Sequence, residues 1–383
     1  MANSQPLQSE FAAPAKRRVS FILHKFSRGG SDRVAAYLAR GFVDAGINVE
    51  LIVFSQGGEV ERILVDMLGA DIPVHYLGRA SASRAVDLVR GILPLARRFR
   101  STKPDIVIST ANNTALVTAI AVGLAGLWGP RLVLKTTNPI ATSRHRGLVR
   151  WLRHSSYRMI FRWTDAVWTL SADESAEMRH KFPRFANLFR DVANPYVTPE
   201  MLQRAHTASA PRKGKTVIGI ARLTAQKRLD RLVAAFAEVK APEARLIILG
   251  EGEDRPGLED LISRLGLSER VLMPGYVNDV SRFLHQADLF VLTSDYEGLP
   301  AALLEAMAAN CPVLSTDCFP SARSLLSNVD GSAIIEDTRP EPLAALIDRF
   351  LAKPRPRNLR DLAASYSIGN GVASHLNEIE RLF

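Results

Sequence analysis

The sequence predicts an α/β protein made of two doubly wound, parallel-sheet domains. Three observations carry this. Short β-branched runs alternate with stretches of helical length throughout the chain. The strand-like runs are nearly continuous apolar segments, as parallel strands covered by helices on both faces must be. The alternation also comes in two series, interrupted at 194–215, "NPYVTPEMLQRAHTASAPRKGK", by proline, serine and lysine. At 383 residues the chain exceeds one small core, and two or three domains are expected.

Taken in order, the first series places strands at 18–24, 49–54, 72–77, 105–110, 131–137 and 166–171. The second places them at 216–221, 245–250, 271–276, 288–293, 312–317 and 332–336. Domain limits follow at 17–195 and 196–369, with a last helix at 370–383 that could pack back on the first domain. Residues 1–16 have no apolar core and precede their basic residues, which predicts a disordered tail rather than a signal peptide. The longest apolar run, 115–128, has 14 residues where about 20 are needed to span a bilayer. Cys311 and Cys318 are the two cysteines and form no CxxC, which predicts neither a disulfide framework nor a cysteine zinc site and fits a reducing cytoplasm. The 47% hydrophobic and 23% charged content is that of a globular protein. The charge of +10 is uneven: residues 1–195 hold 27 Lys+Arg against 15 Asp+Glu, and residues 196–383 hold 22 against 24. The first half is therefore expected to meet something anionic: a nucleic acid, a membrane surface or a substrate.

Three loops at expected strand ends carry candidate chemistry. After the first strand, Gly29 and Gly30 can bring backbone N–H groups close to an anion, and a helix starting near Ser31 would aim its positive end there. As an isolated pair they fit a plain capped turn better. The stretch is neither GxGxxG nor a P-loop, so hydride transfer and P-loop ATP hydrolysis are poorly supported. In "GIARLTAQKRLD", Arg222 and Lys227 flank a strand-to-helix loop, as two cations gripping a diphosphate would, or as solvated surface charges would. In "DYEGLPAALLEAMA", Pro300 suits the first turn of a helix running to about Asn310. Glu297 then lies in the loop before it and Glu305 within it, among apolar neighbours. A ligand with a diphosphate between two sugars suits this spacing, because the helix N-terminus favours the anion while carboxylates accept from hydroxyls.

The ordered set of "RGGSDRV", "NP" at 194–195, "GIARLTAQKRLD", "LIILGEGEDRPGLEDLISRLGL", "VLMPGYV" and "ADLFVLTSDYEGLPAALLEAMAANCPVLST" resembles the family 4 retaining glycosyltransferases with their E-x7-E signature. The resemblance implies the GT-B architecture: two Rossmann-like domains facing across a cleft, with the acceptor domain first and the nucleotide-sugar donor domain second. It implies that Arg222 and Lys227 bind the donor diphosphate, Glu297 contacts the transferred sugar and Glu305 the ribose. Gly298, Leu299, Pro300 and Ala301 would present backbone to sugar and phosphate. Tyr276 and Val277 would lie beside the base, with Gly29 and Gly30 closing over the diphosphate. It further implies a front-face reaction, a UDP- or GDP-sugar as co-substrate, and no metal; no DxD motif is visible. Many members carry a histidine at the end of the strand reading "RLVLKTTNPI", where this chain has Thr136, Thr137 and Asn138. Arg28, Thr137 and Asn138 are thus expected on the acceptor side.

The segment 143–163, "SRHRGLVRWLRHSSYRMIFRW", interleaves arginines with aromatics, and 84–103 is similar. Arg146, Arg150, Trp151 and Arg153 are candidates for contact with an anionic lipid surface, although a solvated face on an ordinary helix explains the pattern equally. The function expected is sugar transfer to a glycan or lipid-linked acceptor at the cytoplasmic side of a membrane, in surface polysaccharide or glycolipid assembly. The alternatives are a nucleotide-sugar epimerase of the same two-domain architecture and a basic nucleic-acid binder. Charge confined to one domain, with no RNA-binding aromatic motif, argues against the latter.

Overall fold

The computed structural model describes residues 17–27, 30–57, 61–81, 83–126, 129–138, 140, 147–203, 215–354 and 358–383. The expected tail at 1–16, together with Arg28, Gly29, His145 and Arg146, lies outside them, as does the side chain of Arg150.

The first domain runs β1 (Arg18–Leu23), α1 (Gly30–Asp44), β2 (Asn48–Val53), α2 (Glu61–Leu68), β3 (Val74–Tyr76), α3 (Arg84–Thr102) and β4 (Ile106–Ser109). It continues with α4 (Ala115–Ala125), β5 (Arg131–Lys135), α5 (Gly147–Phe161), β6 (Ala166–Thr169), α6 (Ala172–Lys181) and β7 (Phe189–Asp191). After a short α7 (Pro199–Gln203) the second domain runs β8 (Thr216–Ile220), α8 (Leu229–Ala237), β9 (Arg245–Leu249), α9 (Arg255–Arg264), β10 (Val271–Gly275) and α10 (Ser281–Gln286). It continues with β11 (Leu289–Leu292), α11 (Ala301–Ala308), β12 (Val313–Thr316), α12 (Ala322–Leu326) and β13 (Ser332–Ile335). Last come α13 (Pro340–Leu351), α14 (Leu359–Ala364) and α15 (Ile368–Glu380). Every expected strand forms, within two residues of its expected ends. β7 was not foreseen: it is a three-residue edge strand with one apolar residue, Phe189, and so has too little pattern to read.

Both sheets are wholly parallel. The strand orders are β3-β2-β1-β4-β5-β6-β7 and β10-β9-β8-β11-β12-β13. Each order reverses beside its first strand, and such switch points open a crevice at the carboxyl ends of the strands. Alternate residues of each strand serve opposite faces. Phe21, Leu51 and Ile108 pack under α1, while Ile22, Ile52 and Val107 pack under the layer of α3, α4 and α5. In the second domain the outer face is covered by α8, α9 and α13. The inner apolar cluster is continuous between the domains, joining α1 to α11 and α14 through Tyr196, Val197 and Leu299.

The chain crosses between the domains twice, and the crossings are paired. Tyr196 and Val197 donate backbone N–H bonds to the Tyr366 carbonyl, each 3.0 Å, and Ile368 donates to Val197 at 2.9 Å. Beyond this bridge α15 lies on α1 of the first domain. Gly41 and Gly371 permit the close approach: a Cβ on Gly41 would stand 2.5 Å from Val372, and one on Gly371 would stand 2.5 Å from the Pro195 nitrogen.

Candidate active site

The strands facing the domain boundary all deliver their carboxyl-terminal loops to one cleft of about 720 Å³, a size suited to a nucleotide-sized ligand. From the first domain come Lys25–Ser27 after β1, Thr110 after β4 and Lys135–Asn138 at the end of β5. From the second come Arg222 after β8, Gly250–Gly252 after β9, Tyr276–Val277 after β10 and Glu297–Ala302 after β11. The sequence-derived candidates Arg222, Lys227, Tyr276, Val277, Glu297 through Ala301, Glu305, Gly30, Thr137 and Asn138 therefore share one space. The lining holds five basic side chains, Lys25, Arg33, Lys135, Arg222 and Lys227, against three carboxylates, Glu251, Glu297 and Glu305, among the described residues.

The loops bearing Lys227 and Glu297 are bonded into one unit. Asp295 donates its N–H to the Gln226 carbonyl at 2.9 Å, and the Gln226 amide donates back to the Tyr296 carbonyl at 2.7 Å. The Thr293 hydroxyl donates to the Arg228 carbonyl at 2.8 Å. Arg228 sits in left-handed backbone (φ 48°) between the 3₁₀ turn Ala225–Lys227 and α8. On this frame the Lys227 Nζ reaches the Glu297 Oε1 at 2.5 Å, and the Ser294 hydroxyl donates to the same oxygen at 2.7 Å. Glu297 is 6% exposed and its backbone N–H is held by the Cys318 carbonyl. Arg222 is exposed, and its guanidinium has no partner among the described residues.

Glu305 is 4% exposed on α11, and the Arg33 Nη2 of α1 meets its Oε1 at 2.5 Å across the cleft. Glu305 holds the Arg33 guanidinium in its charged form, outweighing the opposing effect of burial. Gly298 meets the first domain closely: a Cβ there would stand 2.1 Å from the Thr137 carbonyl oxygen. The 137–138 wall is itself fixed by Asn112, which accepts from the Thr137 N–H and donates to the Asn138 carbonyl.

Sequence reasoning missed Arg33, Asn112 and Lys135. Arg33 stands one turn into a helix already marked by Gly30, so the local signal existed. Asn112 and Lys135 join the site through sheet order, which no local pattern shows. Among the described residues no three His, Cys, Asp or Glu side chains are grouped to hold a metal ion. Of the residues expected at a lipid face, Trp151 is exposed. Arg153 is half buried instead: its Nε donates to the Ile140 carbonyl, and its guanidinium lies over Tyr157, a neutral partner that draws it toward the helix's packed side.

Two family models match. The model described as glycosyl transferases group 1 matches residues 204–366, and the glycosyl transferase 4-like domain matches residues 29–189. An uncharacterised glycosyltransferase of Methanocaldococcus jannaschii is 30% identical over 249 residues, covering 61% of this chain and 60% of that protein. The chain thus spans less than two thirds of that relative. The amylovoran biosynthesis glycosyltransferase AmsD of Erwinia amylovora is 23% identical over 329 residues, covering 86% of this chain and 88% of its own. Among solved structures, Anabaena HepE in complex with UDP-glucose superposes with a TM-score of 0.74 at 18% identity, covering 95% of this chain and 99% of that one.

Proposed function

The chain belongs to the group 1 glycosyltransferases, with a glycosyltransferase 4-like first domain, and from that premise we propose that it transfers a sugar, with retention, from a UDP- or GDP-sugar to a glycan or lipid-linked acceptor. The observation that carries the reading is the coupled pair Lys227–Glu297, which lines one interdomain cleft together with the exposed Arg222. Arg222 and Lys227 grip the diphosphate, one as a fork and the other as a point charge. The amino end of α11, preceded by Pro300 and the loop of Gly298, adds its backbone N–H groups. Glu297 accepts from hydroxyls of the transferred sugar, Glu305 from the ribose, and Tyr276–Val277 flank the base.

In this reading the donor diphosphate displaces Glu297 as the partner of Lys227. The carboxylate is then free to accept from the sugar, and the ammonium neutralises charge on the departing phosphate. The leaving phosphate helps deprotonate the incoming hydroxyl on the same face, so the anomeric configuration is kept. Fixed cations and helix N–H groups supply the charge stabilisation without a metal. The acceptor enters past Thr137 and Asn138 of the first domain.

The patch that suits a lipid-linked acceptor lies on the outer layer of the first domain. α4 packs against both α3 and α5. Val89 and Leu93 of α3, with Trp151, Met159 and the following Trp163, stand exposed beside exposed Arg90, Arg158 and Arg162. Aromatic and aliphatic groups set among arginines match an anionic membrane boundary. No described helix is long and apolar enough to cross a membrane, so contact on this reading is peripheral.

The test is transfer from a panel of UDP- and GDP-sugars in the presence of EDTA, with the product anomer read by NMR. Lys227→Ala is expected to slow transfer by on the order of 10²-fold, the effect of losing one charge-stabilising donor. Unchanged activity would refute the phosphate assignment, and an inverted product would refute retention.

A further inference from the structure

Lys135 closes β5 with its side chain 4% exposed, yet it lines the cleft. Its Nζ is in hydrogen-bond contact with Asn194 Oδ1 and lies 2.9 Å from His375 Nε2. The proton positions follow from the partners. A carbonyl oxygen can only accept, and Gly371 O lies 2.7 Å from His375 Nδ1, so Nδ1 carries the proton and Nε2 turns its lone pair to Lys135. The Asn194 amide nitrogen donates to the Tyr196 hydroxyl at 2.8 Å, which leaves Oδ1 as the acceptor. An ammonium therefore gives two of its N–H groups to neutral acceptors and keeps a third.

The other charged groups around Lys135 are accounted for. Glu174 of α6 is the facing carboxylate: its Oε2 accepts from Thr136 and from the Leu170 N–H, and its buried Oε1 has no hydrogen-bond partner among the described residues. The Tyr196 hydroxyl is neutral, its ionisation pushed up by burial. Arg33 and Lys227 each hold a glutamate, whereas no carboxylate among the described residues pairs with Lys135. Burial brings the amine down to about 7, with Glu174 opposing, and burial together with Lys135 keeps His375 neutral. An isolated ammonium in such a wall is costly, and an anion brought beside it removes that cost.

We infer that Lys135 is an oxyanion-binding residue of the first domain's wall, holding a substrate phosphate oxygen through its third N–H, with Asn194 and His375 as positioning residues. The inference rests on the transferase reading and deepens it. The phosphate belongs either to the donor diphosphate or to a phosphate-bearing acceptor, and both bring the same chemistry. Binding converts the amine to ammonium, so the ligand enters together with a proton taken from solvent.

The experiment is calorimetric titration of the full chain near pH 8 in buffers of different ionisation enthalpy. UDP forms one arm, and inorganic pyrophosphate added to UDP-saturated protein forms the other. Wild-type protein is expected to take up close to one proton more than Lys135→Met. Lys135→Arg, which cannot lose its proton at this pH, binds without the uptake and also serves if the methionine variant fails to fold. Uptake in the UDP arm assigns the donor diphosphate; uptake in the second arm alone assigns an acceptor phosphate. Equal uptake by wild type and both variants in both arms overturns the inference, even if sugar transfer proceeds normally. No binding of either UDP or GDP by wild type overturns the transferase reading and this inference with it. His375→Phe is expected to shift the pH midpoint of ligand affinity downward, because an acceptor that favours the ammonium is lost, and His375→Gln to restore it. A midpoint unmoved by either variant refutes the positioning role.

Discussion

Glu297 and Glu305 are both buried and each is paired with a cation, yet they answer to different domains. Lys227, which holds Glu297, belongs to the same domain; Arg33, which holds Glu305, comes from across the cleft. Both carboxylates, and the cations Arg222 and Lys227, could be named as candidates because the ordered motifs around them resemble a known family; their spacing alone left solvated charges open. Lys135 and His375 could not: each lies in an element that was read, a strand and the last helix, but 240 residues separate them and no local pattern pairs them. Their burial has a thermodynamic signature. The unfolded chain protonates His375 near its ordinary 6.5, while the folded chain holds it neutral far below that value. Its contribution to stability is complete above that pH and is lost progressively as pH falls beneath it, at up to about 1.4 kcal/mol per pH unit. Urea midpoints of His375→Phe are therefore expected to fall less than those of wild type between pH 7 and pH 5. Parallel slopes would contradict a neutral buried imidazole.

At the scale of elements, strand order turns separate loops into one site. Twelve strands could be read from β-branched runs, because parallel strands buried on both faces must be apolar throughout. The edge strand β7 could not, having one apolar residue. Order within a sheet is likewise invisible locally, which is why Asn112, on the loop after β4, was not tied to Thr137 after β5. The loop before α11 depends on Gly298 meeting the Thr137 carbonyl. Gly298→Ala would drive a methyl into backbone, and the loops must separate to admit it. A displacement near 1 Å at a reacting centre costs about 10²-fold in rate. Transfer by Gly298→Ala is expected to fall by about that factor, with the fold retained by circular dichroism. Full activity would show that the contact is not needed for closure.

At the scale of the molecule, the uneven charge found in the sequence has a location. Exposed arginines and apolar side chains share the outer layer of the first domain, on α3 and α5 flanking α4. The spacing made 84–103 and 143–163 candidates, but it did not tell which side chains face outward: Trp151 does, and Arg153 bonds inward. Each arginine near an anionic surface contributes about 1 kcal/mol. Arg158→Ala with Arg162→Ala is therefore expected to weaken binding to anionic vesicles at low salt by about 30-fold, with UDP affinity unchanged. Equal vesicle binding by wild type and variant would remove the membrane from the function.

The return of α15 to α1 also sets an order of events during synthesis. The first domain draws its outermost helix, and the imidazole beneath Lys135, from residues 368–380. At about 5–20 residues per second, a ribosome needs on the order of 10 s or more after β7 to deliver that helix. Until then the face of α1 that receives Val372 stays uncovered and Lys135 lacks one of its two acceptors. The second domain, complete in sequence at α14, can close before the first does. The first domain's half of the cleft is thus finished last, so a nascent chain can assemble the second domain's half before the facing wall is in place.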